Sequence, residues 1–137
     1  MKFKAKNKVR MHDTDMAGIL YFPRQFRFIH DAWEDLMEHE GLSFETLFTD
    51  NDFVFVVAHV ESDYLAPLKV NDKLEVHVKC SRIGNTSFQM AYEIFKEDGT
   101  LAGTGKTVHV CLKRVERTKI PVPDVLREML SKYCRSD

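Results

Sequence analysis

The stretch Asp13-Thr14-Asp15-Met16-Ala17-Gly18-Ile19-Leu20-Tyr21-Phe22-Pro23 stands where one periodicity gives way to another. Before it, Phe3, Ala5, Val9 and Met11 share one parity, and Lys2, Lys4, Lys6, Lys8 and Arg10 share the other. A period of two is a strand with one buried and one solvated face, and lysines there discourage edge-to-edge pairing. After it, Phe22, Phe26, Ile29, Trp33, Leu36 and Met37 recur at helical spacing, with Arg24, Arg27, Asp31, Glu34, Asp35 and Glu38 opposite. Pro23 suits a first helical position and Gly41 a C-terminal cap, so the spacing predicts a long helix over residues 23–40 with a core stripe.

Downstream, the pattern is mostly strand. Residues 53–60 are nearly continuous apolar, which requires cover on both faces. Leu74, Val76, Val78 and Cys80 alternate with Glu75, His77, Lys79 and Ser81, and Phe88, Met90, Tyr92 and Ile94 alternate with Gln89 and Glu93. Glu97-Asp98-Gly99-Thr100 is a hairpin turn signal. Residues 101–113 form a last strand, in which Gly103 and Gly105 predict a bulge or a close backbone approach. Short helices are expected over 43–48 and 124–133. A strand, a long helix and four further strands, with no βαβ repetition, describe an α+β domain: an antiparallel sheet with its helix on one face, spanning residues 1–137. One helix cannot cover the apolar second strand, so oligomerisation through the sheet or its edge is expected.

The 137 residues are 44% hydrophobic and 30% charged, and 20 basic residues stand against 21 acidic ones. That balance gives no case for nucleic-acid binding, and an anionic ligand would have to be met by local basic clusters. No apolar run is long enough for a membrane span, and the first residues lack the hydrophobic core of a signal peptide. Cys80, Cys111 and Cys134 are odd in number and lack metal-knuckle spacing. They read as reduced thiols, Cys80 and Cys111 as small core residues, in a cytoplasmic protein.

The junction also carries chemistry. A helix start offers unpaired N–H groups and the positive end of the macrodipole, so a carboxylate beside it stays ionised and a carbonyl oxygen above it is polarised. Those are two requirements of acyl transfer. The residues alone leave Asp15 equally well explained as a turn or helix cap.

The pattern Asp-Thr-Asp-x-Ala-Gly-x-x-Tyr-Phe, running from Asp13 to Phe22 before a long helix, resembles the 4-hydroxybenzoyl-CoA thioesterase family of hotdog-fold proteins. Asp63-Tyr64-Leu65-Ala66-Pro67 and Asn71-Asp72-Lys73-Leu74 resemble that family's strand–proline–strand link, and Arg82-Ile83-Gly84-Asn85-Thr86-Ser87 its following hairpin. The likeness spans nearly the whole chain. Tyr21-Phe22 and the stretch Val57-Ala58-His59 are most similar to the family's 1,4-dihydroxy-2-naphthoyl-CoA thioesterases. The resemblance implies a five-stranded antiparallel sheet wrapped around one helix, and a homodimer or a dimer-of-dimers homotetramer with active sites between subunits. It also implies an acyl-CoA substrate with an aromatic or short-to-medium acyl group, with CoA as part of the substrate and no other cofactor or metal.

Carried residue by residue, the resemblance makes Asp15 the nucleophile or general base and the backbone N–H of Phe22 the oxyanion donor. Gly18 then lets the backbone approach the thioester, or simply takes a positive φ in the turn. Asp13 shapes the loop by accepting local N–H bonds. Tyr21 lines the acyl pocket or packs at the helix entrance. His59, the polar residue in an apolar run, is a second polar group in the site or a hydrogen-bonded core histidine. Arg82, Ser87 and Arg114 are placed to meet CoA, and each arginine is equally a solvated surface charge. Phe22 stands where many relatives carry His, which throws the chemistry onto Asp15.

Metal hydrolysis fits poorly. His12 and Asp13 are adjacent on an extended segment and would face opposite ways, and His30-Asp31 lacks a second ligand one turn on. A dehydratase would need a catalytic His at the helix entrance. The remaining alternative is a non-catalytic acyl-CoA or acyl-carrier-binding hotdog module.

Overall fold

The computed structural model describes residues 1–134, apart from the side chains of Phe48 and Asp50. Strands β1 (Phe3–Lys8), β2 (Phe53–Tyr64), β3 (Lys73–Ile83), β4 (Ser87–Lys96) and β5 (Leu101–Lys113) form one sheet in the order β1-β3-β4-β5-β2. Every neighbouring pair is antiparallel. Helices α1 (Gln25–His39), α2 (Phe44–Asp50) and α3 (Asp124–Cys134) complete the described chain.

The alternation in β3 and β4 decides the inner face: Leu74, Val76, Val78 and Cys80 are buried, and so are Phe88, Met90, Tyr92 and Ile94. Helix α1 lays Phe28, Ile29, Ala32, Trp33, Leu36 and Met37 against them. The stripe is rotated from the predicted one. Phe22 lies in a separate 3-10 turn, Phe22–Arg24, and its ring is 64% exposed. A 3-10 turn advances three residues per turn, so positions 22–24 do not continue the 3.6-residue stripe, and Phe28 takes the core place expected of Phe22. The C-terminus closes as expected: Gly41 has φ +75°, its N–H reaches Glu38 O at 3.0 Å, and Leu42 N–H reaches Met37 O at 2.8 Å.

Strand β1 is one edge of the sheet, with Lys4 and Lys6 exposed. It stops at Lys8, earlier than the alternation suggested, because Met11–Asp13 coil into a 3-10 turn that turns Met11 out of the core. His12 and Asp13 are therefore neighbours on a turn rather than opposed on a strand, with His12 Nε2 3.6 Å from Asp13 Oδ1.

Strand β5 lies directly beneath α1. A Cβ on Gly103 would stand 2.6 Å from Gln25 Nε2 and 3.0 Å from Asp63 O, and one on Gly105 would collide with Ile29 Cδ1. These glycines mark the close approach that the sequence suggested. Strand β2 is the opposite edge. Phe53 and Phe55 at its start pack into the core, but farther along the apolar run Val56, Val57 and Val60 all remain exposed.

Helix α3 folds back on β3, burying Leu126, Met129, Leu130 and Tyr133. This corrects the reading of three reduced thiols: Cys134 forms a disulfide with Cys80 across a Cα–Cα distance of 4.5 Å, leaving Cys111 as a buried free cysteine. The two partners are 54 positions apart, and only the return of α3 brings them together.

Candidate active site

Asp13 organises the loop between β1 and α1. It is fully buried, and Arg27 Nε donates to its Oδ1 at 2.7 Å while Nη2 binds Oδ2. The Arg10 N–H donates to Oδ2 at 2.8 Å, and the Asp13 carbonyl accepts the Tyr21 N–H at 2.8 Å. Burial alone would raise the Asp13 pKa. The Arg27 and Arg10 hydrogen bonds and the charges of Arg27 and His12 outweigh burial and hold it below the usual carboxylate range. Arg27, assigned to the solvated face of the helix by its spacing, instead turns inward and also binds Asp31 Oδ2 at 2.9 Å and Lys8 O at 3.1 Å.

From this anchor the chain makes a small hairpin. Asp15 N–H bonds Ile19 O at 2.9 Å, Gly18 N–H bonds Asp15 O at 3.1 Å, and Ala17 N–H bonds Asp15 Oδ1 at 2.9 Å. Gly18 has φ +76° with nothing within 4 Å of where a Cβ would sit, so the turn needs its conformation rather than its small size. The returning arm is tied down by Leu20 N–H to Leu68 O at 2.8 Å. Asp15 stays exposed, its Oδ1 fixed by the turn.

The chain then enters the 3-10 turn at Phe22, whose N–H is the first of the helical run and has no acceptor among the described residues. The Phe22 carbonyl is held from both sides, by the Gln25 N–H and by the Tyr64 hydroxyl at 2.7 Å. Tyr21 packs edge-on against Phe22 at 5.4 Å between ring centroids. The structure thus gathers Asp15, Gly18, Tyr21 and Phe22 at the end of the sheet where β2 finishes.

The other candidates lie elsewhere. His59 is exposed on the outer face of β2, 3.6 Å from Glu61, which rules out the core-histidine alternative. The buried histidine is His109, on the inner face of β5, with its pKa lowered to about 4 by burial and by the charge of His30. Ser87 pairs with Val110, Arg82 with Gln89, and the Arg114 N–H bonds Asp52 O at 3.0 Å, at the end where β2 begins. Tyr64 pairs with Gly103, seven residues along β5 from Val110. At a strand rise near 3.3 Å per residue, the two sets stand about 23 Å apart within one chain.

Two supporting residues escaped the sequence reading. Gln25 is buried and donates to Ser62 Oγ at 2.8 Å and Asp63 O at 3.0 Å, tying the start of α1 to β2. Tyr64 holds Phe22. The closeness of Gly103 to Gln25 was the available signal, and it could not be read without knowing which helix residue lay opposite. Among the described residues, no group of three or more His, Cys, Asp or Glu side chains is arranged to hold a metal ion, and no helix is long and apolar enough to cross a membrane.

The family model described as "Thioesterase-like superfamily" matches residues 9–130. The chain belongs to this superfamily. Among its relatives, the 1,4-dihydroxy-2-naphthoyl-CoA hydrolase of Thermosynechococcus vestitus is 31% identical over 118 residues, covering 86% of this chain and 81% of that protein. The corresponding hydrolase of Nostoc punctiforme is 32% identical over 130 residues, covering 95% and 87%. The crystal structure of a 1,4-dihydroxy-2-naphthoyl-CoA thioesterase from Synechocystis superposes with a TM-score of 0.90 at 28% identity, covering 99% of this chain and 100% of that one. The hotdog fold and the thioesterase class expected from the sequence both hold for this superfamily member.

Proposed function

We propose that this thioesterase hydrolyses an aromatic acyl-CoA to the free acid and CoA in a site completed by a second copy of the chain. The relatives named above support an aromatic acyl group. The observation that carries the reading is the pairing of an exposed, turn-fixed carboxylate at Asp15 with the unengaged N–H of Phe22 at one end of an uncovered edge strand. The Phe22 N–H receives the thioester oxygen, and a preorganised donor of this kind contributes on the order of 3 kcal/mol in the transition state. The Asp15 carboxylate attacks the carbonyl carbon to release CoA thiolate, and water then cleaves the resulting anhydride. In the general-base version, Asp15 removes a proton from the attacking water. Both routes consume one water and yield one carboxylic acid and one thiol.

An exposed β2 edge and its strand direction support a second copy. Two β2 edges paired antiparallel run in opposite senses, so the Phe53 end of one copy meets the Tyr64 end of the other. That pairing would cover Val57 and Val60 and carry Arg82, Ser87 and Arg114 of one copy to the Asp15 loop of the other, where cationic groups can meet the phosphates of CoA. Gly18 shapes the Asp15 turn and Tyr21 borders the acyl group. His59 faces the outer side of the paired strands. A dimer-of-dimers tetramer, a cytoplasmic setting and the absence of any cofactor beyond the substrate's own CoA belong to the same reading.

The test is thiol release from a panel of aryl-, short-, medium- and long-chain acyl-CoAs, with Asp15→Asn beside the wild type. Turnover confined to the aryl esters and abolished in a folded Asp15→Asn protein is the expected result. Binding without turnover would instead identify an acyl-CoA-binding module.

A further inference from the structure

Phe22 stands in a conformation that its neighbour in sequence resists. It opens the 3-10 turn Phe22–Arg24 and is the residue before Pro23. The Arg24 N–H bonds Tyr21 O at 2.8 Å, closing a tight turn over residues 21–24 with the proline in its third place. A proline there pushes the residue before it out of the helical region toward extended backbone, because the ring Cδ crowds the preceding N–H and Cβ. Left to local preference, Phe22 would swing away from the helix start, and the direction of its N–H would change with it.

The end of β2 opposes that preference. Ser62 Oγ and Asp63 O both accept from Gln25 Nε2, at 2.8 and 3.0 Å, and the Tyr64 hydroxyl donates to Phe22 O at 2.7 Å. Consecutive residues of one strand thus grip the first residues of the helical run. They are themselves fixed: Ser62 Oγ donates to Thr104 O at 2.7 Å, and Tyr64 is in register with Gly103. Partial burial raises the Tyr64 pKa, so the phenol keeps its proton and remains a donor. The Phe22 carbonyl also accepts the Gln25 N–H, but that bond belongs to the turn and exists only when Phe22 is already helical. The Tyr64 bond reaches Phe22 from a different element. Tyr64 is 48% exposed and lies outside the hydrophobic core, so its hydroxyl can be removed without opening the core.

We infer that Tyr64 is a positioning residue, whose hydroxyl holds Phe22 helical against Pro23 and so keeps the Phe22 N–H aimed at the thioester oxygen. The inference rests on the proposed role of that N–H as oxyanion donor and adds the residue that aims it. Such a donor acts by being fixed in place before charge develops on the oxygen. Loosening the clamp therefore lowers kcat and leaves KM nearly unchanged.

The test is a double-mutant cycle on Tyr64→Phe and Pro23→Ala, read with benzoyl-CoA and 1-hydroxy-2-naphthoyl-CoA. Tyr64→Phe keeps the ring and removes the hydrogen bond, and Pro23→Ala removes the restriction that the bond opposes. Tyr64→Phe alone should lower kcat about tenfold, with KM within about twofold and Tm within about 3 °C of the wild type. In the Pro23→Ala background the same change should cost about threefold or less, because the turn no longer needs the clamp. The backbone carbon chemical shifts of Phe22, which separate helical from extended residues, give a readout without substrate. They should be helical in the wild type and displaced toward extended values in Tyr64→Phe. An unchanged kcat, a loss carried by KM, an equal loss with and without Pro23, or Phe22 shifts unmoved by Tyr64→Phe would overturn the inference while leaving aryl-CoA hydrolysis standing. A wild type that turns over no aryl ester overturns the proposed activity, and the Phe22 shifts still decide whether Tyr64 sets the turn.

Discussion

Replacing Asp13 by Asn tests the anchor of the candidate site at the level of stability. The substitution keeps the side-chain shape and the backbone carbonyl that accepts Tyr21 N–H, but removes the negative charge facing Arg27. Breaking a buried ion pair from one side costs about 3–5 kcal/mol, because the surviving charge is left uncompensated. Here the survivor is partly relieved: the Arg27 side chain is 22% exposed and retains Asp31 and the Lys8 carbonyl. The expected loss is therefore about 2–3 kcal/mol. A chain of this length has an unfolding entropy of about 0.3 kcal/mol/K at its midpoint, so Tm should fall by about 7–10 °C. The sign of the pH dependence is set by the lowered pKa of Asp13. A carboxyl whose folded pKa lies below its unfolded value of 3.8 stabilises the fold above that value and loses the contribution as pH falls through the folded pKa. Thermal unfolding followed by circular dichroism should show the full Asp13→Asn deficit at pH 7, shrinking as the pH drops below 4. A deficit under about 2 °C at pH 7, or one independent of pH, would refute the assignment of Asp13 as an ionised anchor.

Two substitutions of glycine separate conformation from contact. Gly18→Ala places a side chain at φ +76° in open space, so it should cost about 1 kcal/mol of stability, read by denaturant titration, while lowering kcat through the displaced Asp15 turn. Gly103→Ala meets Gln25 and the Asp63 backbone and should cost about 1–3 kcal/mol in the same titration, with Gly103→Ala/Gln25→Ala recovering part of it if the Gln25 contact is responsible.

The elements with strict alternation were legible from the order of residues alone. Leu74 to Cys80 and Phe88 to Ile94 carry their burial in their parity, and Gly41 announces the end of α1 because only a residue tolerating positive φ closes it that way. Strand β5 was legible as a strand but not as a wall. Its apolar parity, Val108, Val110 and Leu112, is only half-buried, whereas Thr107 and His109 face the core. A reading that sends apolar residues inward therefore passes over Thr107 and His109, which hydrogen-bond to one another along β5 while Thr107 also meets the Tyr92 hydroxyl on β4. Arg27 was misplaced for a related reason, since helical spacing put it with the charged residues and only the fold brings Asp13 beneath it. Of the candidate site, the local part within residues 13–22 could be read from the chain. Arg82, Ser87 and Arg114 could not be placed relative to it, because sequence order carries no information about which end of a sheet a hairpin reaches.

The two glycines of β5 make the helix and the strand into a tapered wedge. Four residues of helix rise about 6.0 Å and two of strand about 6.6 Å, so Gln25 and Ile29 step along α1 nearly in time with Gly103 and Gly105 along β5. At those two steps α1 rests on bare backbone. At the next two strand steps, Thr107 and His109 reintroduce side chains, and the gap that opens is a cavity of about 220 Å³ between α1 and β5. Its depth is thus governed from the pinned end: a methyl group added at Gly105 would lever the helix about its resting point and reshape a space several ångströms away. The glycines of β5, which do not line the cavity, set its gauge.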